Sequence, residues 1–257
     1  MDGWPTRHAR LPFRDCAVGV KHGALENGLL ASLSSSDFAL LEPDLSAVDL
    51  PLRRQLENRN RRIEHAYFLR RGLASVVVSG GANHSIEVLM VGKEGMTGIS
   101  LVLQSDTAVH ETFIQTAGDG WRIGADALHA AMAKSATLQK TLLHFAHVTV
   151  TQMSFTALAN GRYRLEERLA RWLLMAHDRA EGDVVFLTHE FLSVMLGVRR
   201  PGVTNAINAL EKRGVIEARR GAIEIKQRSI LEEAANGSYG APEADYRRLI
   251  AATAATH

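Results

Sequence analysis

The chain has 257 residues, 46% of them hydrophobic and 23% charged, with a formal net charge of +2. That length provides for one or two cored domains and that composition excludes wholesale disorder, while so small a net charge is no argument for a nucleic-acid partner unless the basic residues cluster locally. The single cysteine, Cys16, excludes an intrachain disulfide and any all-cysteine metal cluster, and fits a reducing compartment. No apolar run of signal-peptide or membrane-spanning length occurs, so a soluble, cytoplasmic protein with no membrane partner is expected.

Residues 1–22 are polar and aperiodic and are expected to form a loose arm. Leu29, Leu30 and Leu33, then Phe38, Leu40 and Leu41, predict small amphipathic helices. From Asp44 the texture is that of strands: Val48–Leu50, His65–Phe68, Ala74–Val78, Ser85–Val91, Ile99–Leu103, Glu111–Thr116 and Gly120–Ile123. Turn residues, among them Gly80 to Asn83 and Gly118–Asp119–Gly120, separate them. Many short strands at near-regular spacing predict a sandwich, roll or barrel.

Strand texture ends near Ala125, with a short helical piece at Leu128–Met132 and a long helix expected over 138–160. Leu142, Phe145, Thr149, Gln152, Thr156 and Ala159 follow a 3-4-3-4-3 spacing along it. That spacing has two readings: a dimer seam through Leu142, Phe145, Thr149, Gln152 and Thr156, or a helix packed back on the strand domain. Asn160–Gly161 is a hinge candidate. Arg162–Arg179 predicts another amphipathic helix, with Leu165, Leu169, Trp172, Leu173 and Ala176 inward and Glu166, Glu167, Arg168 and Arg171 solvated. Val184–Leu187 reads as a short strand.

The next stretch carries the chemistry. Thr188 is a good N-cap with Glu190 in the first turn, and Phe191, Val194 and Met195 supply an apolar face. Gly197 ends that helix as a left-handed C′ residue, Pro201 suits a new first turn, and Val203, Ile207 and Leu210 form a second stripe before Gly214. Two short helices split by a glycine turn are the helix-turn-helix pattern. Arg199, Arg200, Gly202, Thr204, Asn205 and Asn208 lie opposite the stripe at the N-terminal end of the second helix, the end that enters the major groove in this motif. Arginine can bond guanine and asparagine can bond adenine through paired hydrogen bonds, threonine can meet a thymine methyl, and glycine lets the backbone approach closely. Val215–Ala218 and Ala222–Ile225 alternate like strands around Arg219–Arg220–Gly221, a hairpin whose arginines are placed to meet phosphates as a wing. After Lys226 come a helical fragment (Ile230–Ala235), a Gly/Ser/Pro-rich break and a last piece near Tyr246–Ile250, with no functional reading.

A many-stranded N-terminal part, one long helix and a C-terminal winged helix-turn-helix resemble the Crp/Fnr family of bacterial transcription regulators, best over Glu190–Glu224, where Gly197-Val198-Arg199-Arg200 and Val203, Ile207 and Leu210-Glu211 carry the likeness. The resemblance implies an α+β chain: an antiparallel jelly-roll sensor (23–137), a dimerisation helix (138–160), a winged helix-turn-helix (161–228) and a tail (229–257). It further implies a homodimer on a two-fold symmetric promoter site in double-stranded DNA, with RNA polymerase as a partner. Arg200 takes the place of the family's recognition arginine. Pro201 and Asn205 depart from its glutamate and second arginine, so the target sequence should differ. In the sensor, Gly92-Lys93-Glu94-Gly95-Met96-Thr97-Gly98 and Thr107-Ala108-Val109-His110-Glu111 stand where cyclic-nucleotide members bind phosphate, and the second segment lacks their arginine. A cyclic nucleotide is therefore disfavoured, and one cysteine excludes the family's iron–sulfur cluster. No cofactor is assigned. The candidate effector pocket comprises Glu94, Gly95, Met96, Thr97, His110, Thr149, Gln152 and Met153. No metal site is expected, because His144 and His147, one helical turn apart, have no third ligand.

Two readings from other classes stand beside this one. A cupin-like metalloenzyme would share the jelly roll but wants a His-x-His among its strands, and none occurs. No nucleophile–base pair or phosphate loop stands out, so no enzymatic activity is expected. A ligand-binding adaptor without DNA binding is opposed by the exposed Arg, Thr and Asn set, and a steep salt dependence of binding to duplex DNA separates the two.

Overall fold

The computed structural model describes residues 26–80 and 85–251, so the expected arm, Cys16 and residues 81–83 of the expected turn lie outside the described residues. The chain begins with two short helices, α1 (Gly28–Ala31) and α2 (Ser35–Leu41), each closed at its start by a side chain. Asn27 accepts the Leu30 N–H at 3.0 Å and Ser34 accepts that of Asp37 at 3.1 Å. These caps satisfy amide donors that have no partner within the helix.

An antiparallel sheet follows: β1 (Ser46–Leu50), β2 (Gln55–Glu57), β3 (His65–Ser79), β4 (Ser85–Val91) and β5 (Glu111–Gly124), ordered β1-β5-β3-β4 with β2 also on β5. The strands are fewer and longer than their spacing predicts. His65–Phe68 and Ala74–Val78 are one strand, as are Glu111–Thr116 and Gly120–Ile123. The expected turn at Gly118–Asp119–Gly120 is a bulged crossing instead, with register shifts opposite at Leu69/Arg71 and Arg71/Leu73. The glycines mark close backbone approach rather than chain reversal: a Cβ on Gly118 would lie 2.1 Å from the Arg71 carbonyl oxygen, and one on Gly72 (φ +85) 2.5 Å from that of Thr116.

Ile99–Leu103 is also corrected, from strand to a helical turn, α3 (Ile99–Val102), entered through Gly98 at φ 78. A five-residue apolar run suits either form, and here Leu101 and Val102 bury their side chains. Next come α4 (Ala125–Lys134) and the long α5 (Ala136–Arg162). The backbone is extended at Tyr163 and Arg164, so the break falls two residues beyond the expected hinge.

The C-terminal part contains α6 (Leu165–Arg179), β6 (Val184–Phe186), α7 (His189–Met195), α8 (Arg200–Lys212), β7 (Ile216–Arg219) and β8 (Ala222–Ile225), with β6-β8-β7 a three-stranded sheet. Then α9 (Arg228–Ala234) packs on α6 and places Leu231 and Ala234 in the same core as Leu169 and Ile207. This unit therefore extends past residue 228. Finally α10 (Ala241–Tyr246) and a π-helical turn (Arg247–Ala251) run back along α5, and Ile250 is buried in the core that α1, α2, α4 and α5 share with the large sheet. No described helix is long and apolar enough to cross a membrane.

The seam residues of α5 face inward. Leu142, Phe145, Thr149 and Gln152 are each at most 4% exposed within a single chain, and Gln152 donates to the Met90 carbonyl of β4 at 3.3 Å. A half-polar seam matches a helix laid against strands that offer both apolar side chains and an edge carbonyl. One exposed row lies one or two positions further along: Leu143, His147, Val150, Ser154, Ala157 and Gly161.

Candidate nucleic-acid interface

The helix-turn-helix is built locally as its residues dictate. The Thr188 hydroxyl accepts the Phe191 N–H at 3.2 Å and opens α7. Gly197 (φ 61) makes the turn, Pro201 sits in the first turn of α8, and Gly214 (φ 68) follows its end. The inward face of α7 is Leu192, Met195 and Leu196, whereas Phe191 is half-buried and Val194 is 40% exposed. The apolar stripe is thus rotated from the expected one, because the turn buries Leu196 under α6. Val203, Ala206, Ile207 and Leu210 are buried as the inner face of α8.

Arg199, Arg200, Asn205 and Asn208 are exposed, and their side chains have no partner among the described residues. Thr204 is less free: its hydroxyl donates to the Arg200 carbonyl at 3.2 Å, and His189 Nδ1 lies 3.3 Å away. His189 had no signal in the sequence beyond following the cap. A Cβ on Gly202 would lie 3.1 Å from Leu165 Cδ2, so its lack of a side chain also allows close packing of α8 on α6. In the wing, Gly221 (φ 76) turns the hairpin, and the two arginines differ. Arg219 is held by Glu217 at 3.0 Å and Glu224 at 3.2 Å, and Lys226 closes the network at 2.9 and 2.7 Å. Hydrogen bonds from Lys226 and then Arg219 hold the Glu217 carboxyl below the usual range. Arg220, at the tip, is exposed and has no partner among the described residues. Glu211 accepts the Ala218 N–H at 2.8 Å and ties α8 to the wing.

Two arginines expected in solvent are structural. Arg168 donates to the Leu196 carbonyl and closes the end of α7. Arg171 is 5% exposed and donates to the carbonyls of Ser238 at 3.0 Å and Gln152 at 3.4 Å. Periodicity missed both because a long charged side chain on a helix flank can reach a neighbouring element's carbonyls.

The winged unit is docked on the large sheet. Trp172 Nε1 donates to Glu87 Oε1 at 2.7 Å, Arg179 pairs with Glu94 at 2.7 Å, and a Cβ on Gly197 would lie 2.9 Å from Ile86 Cδ1. Burial pushes the Glu87 carboxyl up to about 7, against hydrogen bonds from Ser75 and Trp172 and the positive charges of Arg179 and Arg171. Of the candidate effector residues, Glu94, Thr149 and Gln152 line one cavity. Met96 and Thr97 are buried, Gly95 packs against the Phe145 ring, and Met153 packs on the sheet core. His110 stands apart, half-buried, where burial and then Arg59 lower its imidazole pKa. No group of three or more His, Cys, Asp or Glu among the described residues is placed to hold a metal ion.

Architecture and exposed face together define a winged helix-turn-helix protein with an N-terminal antiparallel sheet domain and a connecting helix. A family model described as a Crp-like helix-turn-helix domain matches residues 167–234. No curated protein matches the chain in sequence. Among solved structures, FixK2 from Bradyrhizobium japonicum superposes with a TM-score of 0.66 at 14% identity, covering 74% of this chain and 96% of that one. A transcriptional regulator of the Crp/Fnr family from Thermus thermophilus gives 0.61 at 18%, covering 76% and 100%. The c-di-GMP-responsive global regulator CLP of Xanthomonas campestris gives 0.59 at 14%, covering 75% and 99%. The chain carries a Crp-like helix-turn-helix domain and has the fold of the Crp/Fnr regulators.

Proposed function

We propose that the protein is a sequence-specific DNA-binding transcription regulator that acts as a homodimer on a two-fold symmetric site. The observation that carries this reading is the N-terminal end of α8, where Arg199, Arg200, Asn205 and Asn208 are exposed with their hydrogen-bonding groups unspent. Arg220, on the wing of the same unit, supplies a cation for the backbone. Base-edge readers on a helix and a phosphate contact on a hairpin are the two kinds of contact a specific complex needs. A second copy, presented by the outer face of α5, would read the other half-site about one duplex turn (roughly 34 Å) away. Contact with RNA polymerase belongs to the same reading.

Selection of duplexes from a random library with the purified full-length protein tests the proposal. A two-fold motif with half-sites one turn apart is expected, and failure to enrich any motif from a folded protein, with or without cell-extract metabolites, would overturn it. On the selected site, Arg200→Ala is expected to cost about 1–3 kcal/mol and relax preference at one base pair. Arg220→Ala should weaken all duplexes alike and lower the salt slope by about one phosphate contact, and Arg219→Ala should do so less. Titrations across salt and base substitutions read both effects, and identical behaviour of Arg200→Ala and Arg220→Ala would remove the division between reading and positioning.

A further inference from the structure

We propose that the C-terminal segment, residues 236–251, is a strap that fixes the winged unit on the sheet domain, and that it thereby sets the half-site spacing a dimer accepts. The spacing rests on the regulator reading, whereas the strap itself does not. The family model ends at residue 234, so the segment lies outside the helix-turn-helix domain it describes. The chain leaves α9 through Asn236 (φ 50), Gly237 (φ 77) and Gly240 (φ 110), backbone turns that send it back toward the sheet domain. It is then anchored on each part it passes. On the winged unit, the Ser238 carbonyl accepts from Arg171 of α6 at 3.0 Å, and the Tyr239 hydroxyl donates to Asp178 at 2.6 Å while accepting from Arg228 of α9 at 2.7 Å. On α5, Asp245 accepts from the Thr151 hydroxyl at 3.1 Å. On the sheet domain, the Tyr246 hydroxyl donates to the Glu94 carbonyl at 2.9 Å, and Ile250 is fully buried in the core there. A Cβ on Gly28 of α1 would lie 2.6 Å from the Tyr246 oxygen, so the absence of a side chain at residue 28 makes room for that anchor.

The direct contact between winged unit and sheet is less well satisfied. Trp172 and Arg179 each reach a carboxylate of the sheet domain, yet Glu87 Oε2, Glu94 Oε2 and Arg168 Nε of α6 are buried with no hydrogen-bond partner among the described residues. Buried polar atoms left in this way weaken the interface that encloses them. With the strap released, that interface and the extended residues Tyr163 and Arg164 would be all that orients the winged unit on α5. Arg199, Arg200, Asn205 and Asn208 are exposed while the strap is in place, so it presents the reading face and does not cover it. A fixed presentation spares the dimer the cost of ordering two mobile units on DNA and restricts it to one half-site spacing.

Two full-length variants release the strap from opposite sides. Asp245→Ala with Tyr246→Phe removes two anchors and leaves Ile250 seated, and Gly28→Ala sets a methyl group against the Tyr246 hydroxyl without altering the strap. Trypsin reads the release, because Arg162 and Arg164 are exposed on either side of Tyr163 and become cleavable when the winged unit moves. The double variant should be cut there roughly tenfold faster than the native protein, the factor that one or two net hydrogen bonds provide, and Gly28→Ala less so. Native protection in both variants, or cleavage spread evenly along the chain, would overturn the strap. Gel-shift titration on selected sites reads the spacing. Inserting about five base pairs, half a duplex turn, between the half-sites should abolish tight binding by the native protein, and the released variants should lose much of that discrimination. Faster cleavage with unchanged discrimination would overturn the role in spacing. A native protein that binds no duplex would defeat the regulator reading, while the trypsin result would still decide the strap.

Discussion

Glu87→Gln is expected to stabilise the protein at pH 8 by on the order of 2–3 kcal/mol and to leave it nearly unchanged at pH 4. Glu87 sits on β4 with its carboxyl fully enclosed against Trp172 of α6, and burial raises its pKa from 4.5 to about 7. Below pH 4.5 the group is neutral in folded and unfolded chains alike and contributes nothing. Between about 4.5 and 7 the unfolded chain releases the proton while the folded chain keeps it, so stability falls as pH rises, and above 7 the loss is complete. Each pKa unit corresponds to about 1.4 kcal/mol, and glutamine keeps an acceptor for Trp172 without the charge. Thermal unfolding across pH reads the difference: the native protein should lose Tm from about pH 5 to about 7.5 relative to the variant. Parallel profiles would show that Glu87 is ionised at little cost, with Arg171 and Arg179 compensating fully. Because the group lies between the sheet domain and the winged unit, the same titration loosens their docking as pH rises.

Val150→Glu should turn the proposed dimer into a monomer at micromolar concentration and weaken binding to a two-fold site by roughly 10²–10⁴, the range lost when a second contact ceases to be intramolecular. The outer face of α5 presents Leu143, His147, Val150, Ser154, Ala157 and Gly161 at 4-3-4-3-4 spacing, with Leu143 41% and Val150 55% exposed. Leu158, 45% exposed, widens the stripe. Two such faces in contact would bury the charge introduced at Val150 without a partner. Light scattering gives the mass and gel-shift titration the affinity. A variant that stays dimeric would place the seam elsewhere, and a monomer with undiminished affinity for the two-fold site would remove the need for a dimer.

The helix-turn-helix was readable because its signals are local. A cap at Thr188, a left-handed glycine at 197, a proline in the next first turn and a glycine at 214 each act within a few residues, and each sits where its backbone preference requires. The large sheet was readable in kind but not in detail, since bulges at Gly72 and Gly118 look in sequence like turns. Ile99–Leu103 went the other way, as its burial and not its composition determines its form. The partners of long side chains were not readable at all: Arg168 on Leu196, Arg171 on Ser238, Arg219 on the wing's own carboxylates and Arg179 on Glu94 span 2 to 85 positions in the chain.

By itself the sequence determined an α+β chain with a winged helix-turn-helix and the exposed placement of Arg199, Arg200, Asn205 and Asn208 at the start of its second helix, because caps, turns and apolar periods are short-range properties of the backbone. Only the tertiary structure decided which face of α5 is inward, that Gly202 lies against Leu165, that Arg219 rather than Arg220 is paired within the wing, and that the C-terminal segment closes a cavity against Glu94 and Phe145. Those outcomes depend on which elements meet. A helix pattern with apolar residues on two sides does not encode which side finds the sheet, and a charged side chain has no fixed partner until the chain has folded around it.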